Sequence, residues 1–393
     1  MDPVRNPFAP GAGTAPPELA GRDAIIHAAD IALQRVLLGN PSKSQILLGL
    51  RGTGKTVLLN KIEERAEELH HLVSFIEAPD GKTLPSLLYP KIHQVLRKLS
   101  AMESARASVN GAMRALQSFR VSFNFSTGDL SLSVDPEKGI ADSGNLEIDL
   151  SELFIRVGEA AKSAGLAWTL LIDEIQYLSS GDLSALIVAM HRVSQKRLPI
   201  LFFGAGLPQV AAMSGDAKSY AERLFDYPTV GPLDEQAAAK AVKVPVESEG
   251  EQIEDAAIAA IFGKTKGYPF YLQEWGFQAW NAASASPIGW ADVEAGSAEA
   301  LRRLDEGFFR VRFDRLTPKE REYVIAMARL GSGPYRSSDV AHLLGEDVQS
   351  LGPRRAQIIR KGMIYSPAHG DIAFTVPMFD EYLNRVYPPS GNT

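Results

Sequence analysis

Short apolar segments alternate with amphipathic stretches through residues 24–230. The apolar segments are four or five residues long and predict buried strands at 45–48, 72–76, 168–172, 200–203 and 227–230. Between and around them, apolar residues recur every three to four positions, which predicts helices at 24–38, 56–62, 84–99, 150–164, 183–193 and 209–225. Because strands that alternate with helices pair in parallel, the pattern predicts the α/β class, with a five-stranded parallel sheet and flanking helices.

One segment inside this region departs from the alternation of strands and helices. From Phe119 to Val134, apolar residues occupy every second position on both sides of Thr127-Gly128-Asp129. That period is typical of a half-buried strand, and the three polar residues form a turn between two such strands. We therefore expect a hairpin insertion at about 118–146.

Helices dominate the pattern beyond residue 233. Helical periodicity at 235–242, 254–262 and 268–282 predicts an all-α lid, and the charged stretch 301–315 belongs to a linker helix. Three short helices follow at 323–330, 337–344 and 351–361, and two strands at 362–365 and 373–377. Three helices with a small hairpin are the elements of a winged-helix domain.

These patterns divide the chain into consecutive parts. We expect an extended arm rich in Pro and Gly (1–18), an α/β core (19–233), the lid (234–290), the linker helix (291–315), the winged helix (316–388) and a short tail (389–393).

Composition narrows the chemistry that the chain can perform. The 393 residues include no cysteine, which excludes disulfides, thiolate zinc sites and cysteine nucleophiles and fits a reducing, cytoplasmic setting. There is no stretch of about 18–20 apolar residues and no hydrophobic signal core, so we expect no membrane partner. With 41 basic and 47 acidic residues the net charge is -6, so any contact with nucleic acid has to be local.

A glycine-rich segment follows the first predicted strand and opens the next helix. It matches the pattern GxxxxGK followed by Ser or Thr in full. In such a loop, backbone N–H groups and the helix N-terminus surround phosphate oxygens, the lysine reaches the β- and γ-phosphates, and the hydroxyl coordinates Mg²⁺. The segment predicts a phosphate site formed by Gly49, Leu50, Arg51, Gly52, Thr53, Gly54, Lys55, Thr56 and Val57, with Thr56 as a metal ligand.

Two adjacent carboxylates end the most apolar strand of the chain. Asp173 follows Leu170-Leu171-Ile172, where it can hold Mg²⁺ through water. Glu174 is placed to polarise an attacking water. Together with the glycine-rich loop, this pair indicates hydrolysis of the nucleotide, with Lys55 and Glu174 as catalytic residues.

On these two motifs the chain resembles the AAA+ and STAND division of P-loop ATPases, in particular bacterial ATP-binding proteins similar to origin-recognition ATPases. Asp173-Glu174-Ile175-Gln176 looks like the DE(I/A)Q form of the second motif. The resemblance spans nearly the whole chain and implies ATP and Mg²⁺ as cofactors. GTP is disfavoured, because no NKxD segment follows a late strand.

Two further segments carry the resemblance. Gly21 and Arg22 look like the GR(D/E) segment, whose backbone lies near the adenine in this family, although Asp23 fits a plain helix N-cap equally well. Gly267-Tyr268-Pro269 is similar to the GxP element, whose proline packs near the base, and it also fits an ordinary helix start. The resemblance thus implies that Gly21, Arg22 and Pro269 contact the nucleotide.

Two positions depart from the family pattern. The strand at 200–203 ends in Gly204-Ala205-Gly206-Leu207-Pro208, without the Asn or Thr of the first sensor, and no arginine follows Gly267 as a second sensor. The resemblance puts a phosphate-sensing or finger arginine at Arg223, with Arg51 as a second candidate, while Arg223 equally fits a solvated surface arginine. With fewer groups to stabilise the transferring phosphate, we expect hydrolysis that is slow or stimulated by a partner.

The third helix of the predicted winged helix has a basic face. It carries Arg354, Arg355, Arg360 and Lys361, and no acid lies between Asp347 and Tyr365. These four are the candidate contacts to duplex DNA. From Leu316 onward, however, nine basic residues face eight acidic ones, a net charge of 9 − 8 = +1. A protein partner or self-association therefore stays open.

Two functions follow from this pattern. The first is an ATP-driven switch in which ATP and Mg²⁺ bind between the core and the lid and the nucleotide state sets the position of the winged helix. The second is a regulatory or scaffold protein that binds nucleotide without hydrolysing it.

Overall fold

The computed structural model describes residues 1–11, 13–123, 135–136 and 139–388. They fall into two compact units, each with its own hydrophobic core. The first, here called the sheet unit, comprises Asp23–Leu48 and Lys55–Thr229. The second, here called the C-terminal unit, comprises Met1–Arg22, Gly49–Gly54 and the chain from Val230 onward.

The sheet unit is an α/β layer structure. Its strands are β1 Ser44–Leu48, β2 Leu72–Glu77, β3 Trp168–Asp173, β4 Ile200–Gly206 and β5 Phe225–Asp226. Its helices are α1 Asp23–Leu37, α2 Lys55–Glu68, α3 Leu84–Ser100, α4 Arg106–Phe123, α5 Leu146–Ser163, α6 Ser180–Gln195, α7 Val210–Ala217 and α8 Ala221–Leu224. The five strands pair in parallel in the order β2-β3-β4-β1-β5, which confirms the predicted fold class.

The register of the central strands brings their carboxyl ends to one edge of the sheet. Every residue of β1, β3 and β4 is buried, as expected for parallel strands covered by helices on both faces. Asp173 lies opposite Glu77 of β2, and Ile172 lies opposite Gly204 of β4. Side chains that follow β3 and β4 therefore share this edge.

The predicted hairpin is wrong in its first arm, because α4 continues as a helix to Phe123. Phe119 and Phe123 are four residues apart, a spacing that fits one face of a helix as well as an alternating strand, and their ring centroids lie 4.8 Å apart. Val121 between them is 60% exposed, so the alternation does not mark one buried face. The remainder of the predicted hairpin, 124–134, lies outside the described residues.

The fifth strand begins earlier than the sequence pattern predicts. It consists of Phe225 and Asp226, which pair with Ser44 and Gln45, whereas Thr229 forms only an isolated bridge with Leu48. Pro228 lies between these two pairings and has no N–H to donate to a strand ladder.

The C-terminal unit contains helices and a small antiparallel sheet. Its helices are α9 Glu235–Ser248, α10 Asp255–Thr265, α11 Pro269–Ala282, α12 Trp290–Arg303, α13 Arg310–Phe313, α14 Pro318–Arg329, α15 Ser337–Leu344, α16 Gly352–Arg360 and α17 Phe379–Val386, with a π-helical segment at Leu304–Phe309. Its strands are β6 Tyr335–Arg336, β7 Ile364–Tyr365 and β8 Asp371–Phe374, in the order β6-β8-β7. The sequence pattern did not predict β6 or α17. None of the described helices is long and apolar enough to cross a membrane.

The N-terminal residues of the chain pack on α11. Phe8 is 3% exposed, and a Cβ placed on Gly276 would come within 2.5 Å of its ring. The Trp280 indole donates a hydrogen bond to the Asp2 carbonyl at 2.9 Å. The missing side chain at position 276 thus gives the Phe8 ring its place in the core of this unit.

His71 is the buried histidine at the start of β2. It is 6% exposed, and its Nδ1 lies 2.8 Å from the Thr169 hydroxyl in the neighbouring strand. Burial lowers the pKa of His71 to about 4, because the charged imidazolium loses its solvation in the folded state.

This burial predicts an acid-sensitive sheet unit. Below pH about 6.5 the unfolded chain binds a proton at this histidine that the folded chain does not bind until pH about 4, so stability falls as the pH falls through that window. Once the pH is below both pKa values, the loss in the free energy of unfolding amounts to about 3 kcal/mol. We expect His71→Gln to flatten the pH dependence of the urea midpoint between pH 7 and 4.5, whereas His27→Gln, at an exposed position, should leave it unchanged.

Candidate functional site

Two oxygen atoms meet at the carboxyl edge of the sheet unit. The Thr56 hydroxyl, in the first turn of α2, donates a hydrogen bond of 2.6 Å to Oδ2 of Asp173 at the end of β3. The other carboxylate oxygen of Asp173 accepts the backbone N–H of Glu174 at 2.8 Å. The two residues predicted as metal ligands are therefore in direct contact.

Asp173 and Lys55 are both removed from solvent. Asp173 is 3% exposed and Lys55 is 7% exposed. Burial raises the pKa of Asp173 above its ordinary value, while the hydrogen bonds from Thr56 and from the Glu174 amide and the charge of Lys55 act in the opposite direction. Desolvation dominates, so this carboxylate lies in a site that favours additional positive charge.

Glu174 occupies a turn that its side chain does not favour. Its φ is +55°, in the left-handed region, and the 3₁₀ turn Ile175–Tyr177 follows directly. Its carboxylate accepts a hydrogen bond from the side-chain amide of Gln176. Gln176 was not among the site residues predicted from the sequence. The end of the next strand, β4, has no polar side chain, and this absence could have indicated that a polar group comes from a neighbouring segment.

The glycine-rich loop belongs to the C-terminal unit as far as Gly54. A Cβ on Gly49 would lie 2.2 Å from the Val230 carbonyl oxygen, a distance that no side chain tolerates. Gly54 has a φ of +91°, which strongly favours glycine. Both glycines of the sequence pattern are therefore required by the backbone path.

Arg22, which lies outside the glycine-rich loop in sequence, forms a hydrogen bond to it. Arg22 is 8% exposed, and its guanidinium donates to the carbonyls of Thr53, at 3.3 Å, and Gly231. Burial lowers the pKa of Arg22 below its ordinary value. Gly21 has a φ of +69°, and a Cβ there would lie 2.7 Å from Ala237 Cβ. The structure thus brings the predicted Gly21-Arg22 segment to the glycine-rich loop.

Two more segments of the C-terminal unit reach the same loop through backbone hydrogen bonds. Phe270, which follows Pro269 at the start of α11, donates its N–H to the Gly52 carbonyl at 3.2 Å. The Arg51 N–H donates to the Thr375 carbonyl, just after β8, at 3.0 Å. The contact with Thr375 has no signal in the sequence, because it is made by the main chain.

Arg223 takes no part in these hydrogen bonds. It lies in the short helix α8 and is exposed. Within the part of the chain that the structure describes, its side chain forms no hydrogen bond or ion pair. Its role as a phosphate-sensing arginine stays a prediction.

Three of the four candidate DNA contacts are engaged inside the C-terminal unit. Arg354 forms two hydrogen bonds with Glu346, at 3.0 and 3.1 Å, and Arg355 donates to Ser337 Oγ at 2.9 Å. Lys361 donates to Glu320, at 2.6 Å, and to the Arg315 carbonyl. Arg360 is exposed and has no hydrogen-bond or ion-pair partner among the described residues. Most of the basic side chains that the sequence places on this helix are therefore hydrogen-bonded within the folded C-terminal unit.

The residues at the sheet edge fit a magnesium ion that arrives with phosphates. Thr56 and Asp173 offer a hydroxyl and a carboxylate, the hard oxygen ligands that Mg²⁺ prefers. No group of three or more His, Asp or Glu side chains in the described part of the chain forms a self-sufficient metal cage. A nucleotide-borne Mg²⁺ needs only one or two protein oxygens, so the donor set agrees with the prediction.

Comparison with known proteins agrees with this geometry. Residues 18–203 match the AAA ATPase domain, and residues 306–383 match a domain of unknown function (DUF8462). The chain is similar to the Walker-type ATPase paby2304 of Pyrococcus abyssi, with a TM-score of 0.55 and 16% identity over 94% of this chain and 97% of that one. No curated protein matches the sequence.

Two other solved structures cover the chain at lower similarity. The Aeropyrum pernix ORC1 protein in complex with DNA has a TM-score of 0.48 and 14% identity, covering 97% of this chain and 96% of that chain. The Thermotoga maritima RuvB Holliday junction branch migration motor has a TM-score of 0.45 and 16% identity, covering 94% and 97%.

The family match at 18–203 and the parallel sheet with its glycine-rich loop confirm the resemblance that the sequence motifs indicated. Residues 18–203 thus match the AAA ATPase domain, and the chain shares its fold with the Walker-type ATPase.

Proposed function

We propose that this protein is an ATP-driven switch that binds ATP with Mg²⁺ at residues 49–57 and hydrolyses the ATP. The nucleotide state changes the position of the predicted winged helix (316–388), here called the C-terminal module. The observation that carries the proposal is the contact between Thr56 and Asp173 with Glu174 beside it. This arrangement supplies a metal-binding oxygen pair and a general base at the edge where the glycine-rich motif begins its helix.

Each residue has a defined part in the proposed reaction. Lys55 contacts the β- and γ-phosphates, and Thr56 and Asp173 hold Mg²⁺. When bound, the ion neutralises charge on the phosphate oxygens. Glu174 accepts a hydrogen bond from the attacking water and orients it. Gly21, Arg22 and Pro269 are the proposed base-side contacts, supported by the hydrogen bond of Arg22 to the loop.

The contacts of Arg51 support the coupling to the C-terminal module. Its N–H bonds the Thr375 carbonyl, which follows the last strand of the small antiparallel sheet. We propose that this sheet and helices α14, α15 and α16 form a winged helix. A change in the loop upon nucleotide binding would then reach Thr375 directly, through the hydrogen bond from the Arg51 N–H.

Hydrolysis is proposed to be slow in the isolated protein. The end of β4 lacks the first sensor, and Arg223 is exposed. Arg223 is the proposed phosphate-sensing arginine, supplied within the chain or by a neighbouring copy.

The catalytic assignment predicts two distinct failures. We expect Lys55→Ala to lose nucleotide binding, and Glu174→Gln to bind ATP as the parent does while its steady-state phosphate release falls by about 10²-fold or more. Lys61→Ala and Glu64→Gln, an exposed ion pair on the same helix, are the matched controls and should retain the parental rate.

Phosphate release and binding of a fluorescent ATP analogue separate the two functions considered. Equal, near-background rates in the parent, Lys55→Ala and Glu174→Gln, with nucleotide still bound by the parent, would support the non-hydrolysing scaffold instead. A slow parental rate that Glu174→Gln abolishes supports the switch.

The paired basic residues of α16, together with Lys361 directly after it, predict a stability effect rather than a loss of binding. Lys361 neutralises Glu320, which is 2% exposed, so we expect Lys361→Met to destabilise the C-terminal unit by about 1–3 kcal/mol. Arg360→Met, at the adjacent exposed position, should change unfolding by less than about 0.5 kcal/mol.

Duplex DNA affinity, followed by anisotropy over a salt series, completes this test. If α16 contacts DNA, Arg360→Met reduces the salt slope by about one. An unchanged slope, with the parent still bound, excludes Arg360 as a DNA contact and favours a protein partner for the module.

A further inference from the structure

A side-chain amide from the neighbouring turn occupies the end of β4. Gln176 follows β3 by three residues, and its Oε1 accepts the backbone N–H of Leu207, directly after β4, at 3.2 Å. Its Nε2 donates to a carboxylate oxygen of Glu174. One amide therefore joins the proposed general base to the adjacent strand.

The orientation of this amide follows from its partners. The Leu207 N–H can only donate, so the Gln176 oxygen has to face it. That leaves the NH₂ group for Glu174, which as a carboxylate can only accept. Each partner accordingly requires the same amide orientation, and a carboxylate at position 176 could satisfy only Leu207.

The backbone around Gln176 leaves room for this bridge. A Cβ on Gly206 would lie 2.9 Å from Gln176 Oε1, 2.8 Å from Val210 Cγ2 and 3.0 Å from Ile175 Cγ1. The left-handed φ of +55° at Glu174 starts the turn that places Gln176 there. A glycine in the strand and a strained residue in the turn are both needed for the contact.

We propose that Gln176 is a positioning residue that holds the Glu174 carboxylate against the end of β4 in the orientation needed for hydrolysis. This inference rests on the proposed ATPase function. Gln176 acts through Glu174, and it supplies from the β3 turn a polar group that β4 itself lacks. A shift at Leu207 is thereby transmitted to the general base.

The kinetic test compares Gln176→Ala and the isosteric Gln176→Glu with the parent. Loss of one well-placed hydrogen bond to a charged group predicts a kcat lowered by about tenfold in Gln176→Ala, with the affinity for a non-hydrolysable ATP analogue kept within about twofold. Gln176→Glu should be slower still, because it puts a carboxylate against Glu174. Gln195→Ala, on the exposed end of α6, is the matched control.

A second variant shows whether Gln176 works through Glu174. In single-turnover measurements, Gln176→Ala combined with Glu174→Gln should hydrolyse ATP no more slowly than Glu174→Gln alone. A loss in the double variant equal to that in Gln176→Ala alone would overturn the positioning role, and so would a parental kcat in Gln176→Ala.

Hydrogen exchange at the Leu207 amide tests the bridge without relying on hydrolysis. We expect faster exchange of this amide in Gln176→Ala than in the parent and in Gln195→Ala, while the other amides of β4 keep their parental rates. Unchanged exchange at Leu207 would overturn the bridge. An inactive parent contradicts the proposed function, whereas an active parent with an unimpaired Gln176→Ala contradicts only the role of Gln176.

Discussion

The backbone path of Gly49–Gly54 is the constraint on which the C-terminal unit depends. This loop is held by groups far from it in sequence: the Val230 carbonyl lies where a side chain at position 49 would be, Arg22 bonds the Thr53 carbonyl, and Phe270 and Thr375 bond the main chain of Gly52 and Arg51. Most of these contacts are made by the main chain. Under the proposed function, a change of the loop on binding a phosphate group would therefore be imposed on these segments.

The sheet unit contributes buried charged side chains to the candidate site. Asp173 and Lys55 are buried, and Asp173 is satisfied by the Thr56 hydroxyl and a backbone N–H. Desolvation makes electrostatic interactions stronger in such a place than at the surface. A cation bound between Thr56 and Asp173 would therefore be attracted more strongly by the carboxylate than a cation beside an exposed carboxylate.

The sequence was sufficient for local features and insufficient for tertiary ones. Four of the five strands, the glycine-rich loop and Asp173-Glu174 follow from short apolar segments and residue spacing, whereas the fifth strand lies just before its predicted segment. The helical end of α4 was missed because Phe119 and Phe123 satisfy both periods. The pairing of Arg354 with Glu346, and the backbone contact of Thr375, depend on distant segments that no local pattern shows.

Hydrogen exchange on Glu174→Gln, with and without ATP and Mg²⁺, tests the central claim that the loop and the C-terminal module respond together. We expect nucleotide to change the amide protection of residues 49–57 and 371–377 in the same titration, with one apparent affinity. Protection gained at 49–57 while 371–377 exchanges at its nucleotide-free rate would contradict this claim.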